Sequence, residues 1–279
     1  MALLGALALT GCSAIKFGYE QLPSLAYWWL DGHLDFSEAQ TPKVREGLER
    51  LHRWHRQREL PLYADLLART ATLAEGPVEA EQVCQIEREI LQRADSLMLE
   101  AIRIFSPLAT QIDARQIRHL SAHLDQKNAK WEEQWLQGSA AARLERRLDK
   151  VSERHADFYG SLSPAQMGLL RKQIEQSAWS PEWGRQERLR QQRDLLGTLM
   201  RIAQEDLSTR PTQAALQAVW ARWMHPAAAA DQQRWQSWTE QGCQNLAELH
   251  NSTSAEQRQR AARRLRAYEK DLRELASRS

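Results

Sequence analysis

The chain has 279 residues, with 38 Lys and Arg against 36 Asp and Glu, a formal net charge of +2. That balance argues against a strongly basic nucleic-acid binder and against an acidic interaction tail, so no nucleic-acid partner is expected. Gly and Pro number only 12 and 9, good helix formers dominate and no alternating β-branched run reaches strand length, which together predict an all-α fold.

The chain opens with MALLGALALTGC at 1–12. The apolar run is too short to span a membrane and fits the apolar core of a secretory signal. Its end, Leu9-Thr10-Gly11-Cys12, resembles the lipobox of bacterial lipoproteins, in which residues 1–11 would be removed and Cys12 would carry lipid. No Lys or Arg precedes the run, a departure that an upstream start codon would explain. The resemblance implies a lipid-anchored protein with its domain in the periplasm. Ser13 after the cysteine implies the outer membrane rather than the inner. The alternative is an apolar tail in which Cys12 is an ordinary thiol. No other apolar stretch reaches the roughly 20 residues of a membrane span.

A first helix is expected from Pro23 to about Leu30, ended by Asp31-Gly32. Trp28 and Trp29 lie on it, either against the bilayer interface or, as the favoured reading, packed into the protein. Ser37 followed by Gln40 makes a capping box for the next helix, with Thr41-Pro42 a second candidate start. Val44, Leu48 and Leu51 keep helical spacing, with Pro61 expected to kink or break the helix. Trp28, Trp29, Phe36, Leu48, Leu51 and Trp54 are expected to pack against a long helix over 77–108, making 25–67 a structural hub. Further starts fall at Asp113, Gly138-Ser139, Ser163, Ser180-Pro181, Pro211, Pro226 and Thr253-Ser254. These signals predict an elongated antiparallel array of about seven to nine helices, a single domain over 12–279 with two loosely related halves joining near 160.

Four segments share one form: FSEAQ at 36–40, IDARQ at 112–116, LSPAQ at 162–166 and TSAEQ at 253–257. This form resembles the LTxxQ motif of the periplasmic stress chaperones Spy and CpxP, which are small and all-helical. A longer match is carried by the lipobox, YWWLDGHLDFSEAQ at 27–40 and LHRWHRQRELPLY at 51–63. It resembles an uncharacterised family of bacterial envelope lipoproteins. That resemblance implies an envelope protein and gives no activity.

Tryptophans recur three or four apart, at Trp131/Trp135, Trp179/Trp183, Trp220/Trp223 and Trp235/Trp238. Such spacing puts two rings on one helix face. The rings form either a surface for a partner or helix–helix packing. His52, His55 and Glu59 fall at i, i+3 and i+7, a set that can supply three zinc ligands. The alternative is a hydrogen-bonded His55 in the core, with Glu59 paired to an Arg. Cys84 and Cys243 can pair in an oxidising compartment or remain two isolated thiols. No nucleophilic triad can be argued and no glycine-rich phosphate loop is present, so no enzyme activity and no cofactor are expected. The functional expectation is a lipid-anchored binding or holdase-like module for envelope proteins. The alternatives are a structural spacer or assembly factor for one envelope partner, and a metal-responsive sensor using His52, His55 and Glu59.

Overall fold

A computed structural model describes residues 10–226 and 228–278. The apolar run over 1–9, part of the expected signal segment 1–11, and the side chain of Cys12 lie outside the described residues. Every described element is helical, and the all-α expectation holds. The α-helices, in chain order, are α1 Thr10–Glu20, α2 Leu22–Leu34, α3 Thr41–Trp54, α4 Leu60–Leu73, α5 Ala80–Ala109, α6 Ala114–Leu136, α7 Ala140–Tyr159, α8 Pro164–Glu175, α9 Pro181–Gln204, α10 Thr209–Met224, α11 Ala229–Asn251 and α12 Ala255–Ala276.

The count among the described residues exceeds the expected seven to nine for local reasons. Only Gln21 separates α1 from α2. Pro61 does not end the helix before it, because α3 runs into α4 through a π turn at His55–Glu59, where the Leu60 N–H bonds to the His55 carbonyl. The wider turn changes the bonding register just ahead of Pro61, whose ring nitrogen has no hydrogen to donate. Asp31-Gly32 does not end α2 either. That helix continues to Leu34 and stops at Asp35, which adopts a left-handed φ of 47°. The Asp31 carboxylate accepts from the Phe36 N–H at 3.1 Å and holds the exit turn.

All four FSEAQ-like segments form reciprocal capping boxes. Gln40, Gln116, Gln166 and Gln257 each accept from the backbone N–H three residues earlier, at 3.0, 3.2, 2.8 and 3.0 Å. Beyond capping, the glutamines pair. Gln116 Nε2 donates to Gln40 Oε1 at 2.8 Å, and Gln40 Nε2 returns a bond to Gln116 Oε1 at 3.2 Å. Gln166 and Gln257 do the same at 2.9 and 3.2 Å. Each pair therefore clamps two helix starts that are far apart in sequence.

These two clamps align the helices into two sets. In the first, α2 packs on both α3 and α6; in the second, α7 packs on both α8 and α12. The sets then exchange their last helices: α12 lies on α4, the most extensive pairing in the molecule, and α6 lies on α9. Helices α5 and α11 pack on each other between them. Gly138 and Gly160, with positive φ of 89° and 77°, turn the chain on either side of α7. Both helices of the α4–α12 contact carry buried small residues, Ala64 and Ala71 on α4 and Ala261 and Ala262 on α12. Small side chains of this kind let two helix backbones approach closely.

The expected hub exists in part. Leu48 and Val44 of α3 pack with Tyr27 and Leu108, and Phe36 and Phe105 lie against them. Gly47 is needed there, since a Cβ would stand 2.6 Å from the Phe105 ring. Trp28 and Trp29 do not join this core: they are 63% and 62% exposed. Along α2 the inward face is taken by Pro23 and Tyr27, so Leu22, Leu25, Trp28 and Trp29 face outward, with Phe17 of α1 also exposed.

Candidate functional site

A cleft of about 540 Å³ opens among α6, α7, α8, the turn after α8 and α11. Trp131 and Trp135 come from α6, Trp179 from the turn and Trp238 from α11. Helix α7 contributes Arg147, Lys150, Arg154 and His155. The i, i+3, i+7 spacing of the three cations puts them on one face. No carboxylate lines the cleft among the described residues. Beneath it, Leu148, Leu170, Ile174 and Leu249 form a buried apolar floor.

The indoles are held by specific contacts. Trp183 is buried and packs edge-on or tilted against Trp235 and Trp238, each at 6.0 Å. Trp235 and Trp238 meet edge to face at 5.0 Å, a favoured aromatic arrangement. Trp179 folds back over Gly184, where a Cβ would come within 2.9 Å of its ring. The Arg147 guanidinium sits 5.0 Å from the Trp179 ring centroid. The turn is tied to α11 by the Ala178 N–H, which donates to Gln241 Oε1 at 2.7 Å. Gln173 ties α8 to α11 through the Asn245 carbonyl at 3.2 Å and Glu248 at 2.9 Å.

The eight predicted tryptophans thus divide. Trp131, Trp135, Trp179 and Trp238 line the cleft, while Trp183 and Trp235 support it from below. Trp220 and Trp223 lie elsewhere on α10, and the Trp220 N–H donates to Asp95 of α5 at 2.7 Å. Sequence reasoning missed the cationic wall. Its signal was present in RLERRLDKVSERH, where Arg147, Lys150 and Arg154 recur at helical spacing.

Cys84 of α5 and Cys243 of α11 form a disulfide, with Cα atoms 5.3 Å apart. This bond crosses the interface between the two helix sets. The Glu87 carboxylate lies 3.3 Å from the Cys243 sulfur, and burial raises its pKa. Among the described residues, Cys84, Glu87 and Cys243 are the one trio of metal-ligand types with donor atoms within 4.8 Å of one another. Sulfurs joined to each other are not the thiolates that a metal requires.

Among the described residues, His52, His55 and Glu59 do not bring their ligand atoms within 4.8 Å of one another. The π turn changes the helical spacing on which that reading rested. His55 Nδ1 and the Tyr19 hydroxyl are hydrogen-bonded at 3.0 Å. Burial, then the neighbouring His52, push the His55 pKa down to about 4, so its ring is neutral. Burial pushes Tyr19 up to about 12, so its hydroxyl stays protonated. Glu59 faces Arg93 at 3.9 Å, and burial raises its pKa. The same region docks α1: Arg56 pairs with Glu20 at 2.6 Å, and Lys16 pairs with Asp271 at 3.3 Å and with Glu274.

A protein-family model described as "Family of unknown function (DUF6279)" matches residues 32–222. The chain belongs to this family. The DUF6279 match spans the end of α2 through most of α10, and so includes Trp131, Trp135, Trp179 and the cations of α7. It stops before α11, which brings Trp238 and Cys243. No curated protein and no solved structure matches the chain.

Proposed function

We propose that the protein is a non-catalytic, lipid-anchored binding module of the bacterial envelope, and that its ligand seats in the tryptophan-lined cleft. The observation that carries this reading is the lining itself: four indoles and three cations without a carboxylate among the described residues. Concave, largely apolar surfaces with a few convergent charged groups are the usual form of a ligand site. Two features support the anchor, the lipobox-like spelling that ends at Cys12 and the surface of the first two helices. Phe17, Leu22, Leu25, Trp28 and Trp29 present an exposed apolar face close behind that cysteine, and Trp favours the membrane–water interface. A broad holdase would hold its apolar surface open to many clients. Here that surface concentrates at the anchor end, and the cleft favours a defined ligand.

Photocrosslinking in cells tests this. A photoreactive residue in place of Trp131 or Trp179 should give discrete adducts, while the same residue at Trp220, outside the cleft, should give none. Equal labelling from all three positions, or none from any, would overturn the assignment. For the anchor, replacing Trp28 and Trp29 with Ser should lower recovery of a Cys12→Ala variant with membranes. Unchanged recovery would argue against a bilayer contact at α2.

A further inference from the structure

We infer that the cleft and a second, apolar pocket beside it form one site for an anionic amphiphile, with the acyl chain in the pocket and the charged head against the cations of α7. This rests on the cleft being the binding site proposed above. The second pocket holds about 330 Å³ among α4, α5, α7, α11 and α12. Leu73, Val83, Ile86, Phe158, Leu246 and Leu265 are among its walls.

Two polar side chains at the wall are already committed to each other. His250 Nε2 lies 2.8 Å from the Gly76 carbonyl, which can only accept, so the proton sits on Nε2. His250 Nδ1 then accepts from the Tyr159 hydroxyl at 2.9 Å. With those groups satisfied, these walls suit an apolar occupant. An apolar cavity of about 150 Å³ already stays dry and binds benzene, and this one is larger and open.

The two spaces meet at Arg154, His155 and Leu246, which line both. Arg154 is exposed, and among the described residues neither Arg154 nor Arg147 forms an ion pair. Lys150 reaches Glu153 at 3.0 Å, an exposed pair that is weak in water. A chain inserted into the pocket would thus bring its head to an uncompensated guanidinium. Charge-assisted bonds of Arg to carboxylate or phosphate are among the strongest available. Trp131, Trp135 and Trp179 line the cleft where the rest of a head group would lie.

The test uses the purified full chain and monomeric amphiphiles below micelle formation, read by tryptophan fluorescence. Dodecyl phosphate or dodecanoate should bind saturably, at least tenfold tighter than dodecyl maltoside, which has the same chain and no charge. The phosphate and carboxylate arms tell a phosphate-bearing lipid from a fatty acid. Arg154→Gln should weaken the anionic ligand about tenfold and leave the maltoside unchanged. Val83→Phe or Leu265→Phe, whichever keeps the parent melting temperature, should weaken all chains by narrowing the pocket. Equal affinity for charged and neutral amphiphiles, or indifference to both substitutions, would overturn the inference. A soluble polyanion that binds the cleft when no amphiphile does would also overturn it, while leaving the cleft as the binding site. Failure of both probe classes would count against the cleft itself.

Discussion

Gln116→Ala separates two roles of the glutamine motifs. A capping residue alone satisfies one helix-start N–H, and its loss costs about 1 kcal/mol. In the structure Gln116 is 1% exposed and does more. Its Oε1 accepts from the Asp113 N–H and from Gln40, both at 3.2 Å. Its Nε2 donates to the Leu34 carbonyl at 3.0 Å and to Gln40 Oε1 at 2.8 Å. Four bonds at a net of about 1 kcal/mol each, with some repair by water, give a loss of about 3–4 kcal/mol. Gln257 makes the corresponding bonds but is only half-buried, so water replaces more of what is lost. Gln257→Ala should cost about 1–2 kcal/mol. Urea unfolding monitored by circular dichroism and by tryptophan fluorescence measures both, and coincident curves would license a two-state treatment. A Gln40→Ala, Gln116→Ala double-mutant cycle should show coupling of about 2 kcal/mol, within the range for contacting residues. Equal losses near 1 kcal/mol with no coupling would reduce the glutamines to caps and refute the clamp.

Three further perturbations probe the disulfide, the hub and the buried histidine. The Cys84–Cys243 bond closes a loop with a sequence separation of 159, so reduction, or replacement of both by Ser, should remove up to about 5 kcal/mol. Calorimetry should then show the melting temperature falling by about 10 °C or more; no change would mean the helix sets hold without it. Gly47→Ala adds a Cβ 2.6 Å from the Phe105 ring. The overpacking should outweigh the helix-propensity gain by about 1–2 kcal/mol, and Phe105→Leu should relieve the loss in chemical denaturation. His55 is held neutral in the fold down to about 4, whereas an unfolded histidine takes up a proton near 6.5. Its contribution is thus fully present above about pH 6.5 and is lost progressively as the pH falls towards 4. His55→Gln should flatten the dependence of melting temperature on pH in that window, and an unchanged slope would assign the effect to other groups.

Helix starts were legible because caps are local chemistry. Ser163, Ser180 and Ser254 each accept an N–H three residues on, where the spelling placed them. The pairing of Gln40 with Gln116 was not legible, since it joins segments 76 residues apart and a capping box reads the same with or without a partner. Trp28 and Trp29 look like core residues by composition. Only the docking of Tyr27 into the hub shows that they point away from it. The π turn hid for a related reason, because periodicity assumes one helical pitch throughout His52–Glu59. Arg147, Lys150 and Arg154 resemble any solvated face until the indoles of α6 and the turn are placed across from them.

The exchange of final helices has a consequence for the order in which the chain can finish folding. Leu60, Ala64 and Ala71 of α4 are buried, and α12 is the helix that packs most extensively on α4. Segments that wait for distant partners must first close long loops and so form late. The part synthesised first cannot complete its own core until the last twenty or so residues are available. A nascent chain cut before Ala255 would leave the apolar side of α4 uncovered, open to holding factors. On the envelope location proposed above, the chain would cross a membrane in extended form, and such a delay would keep it threadable until its tail had been released.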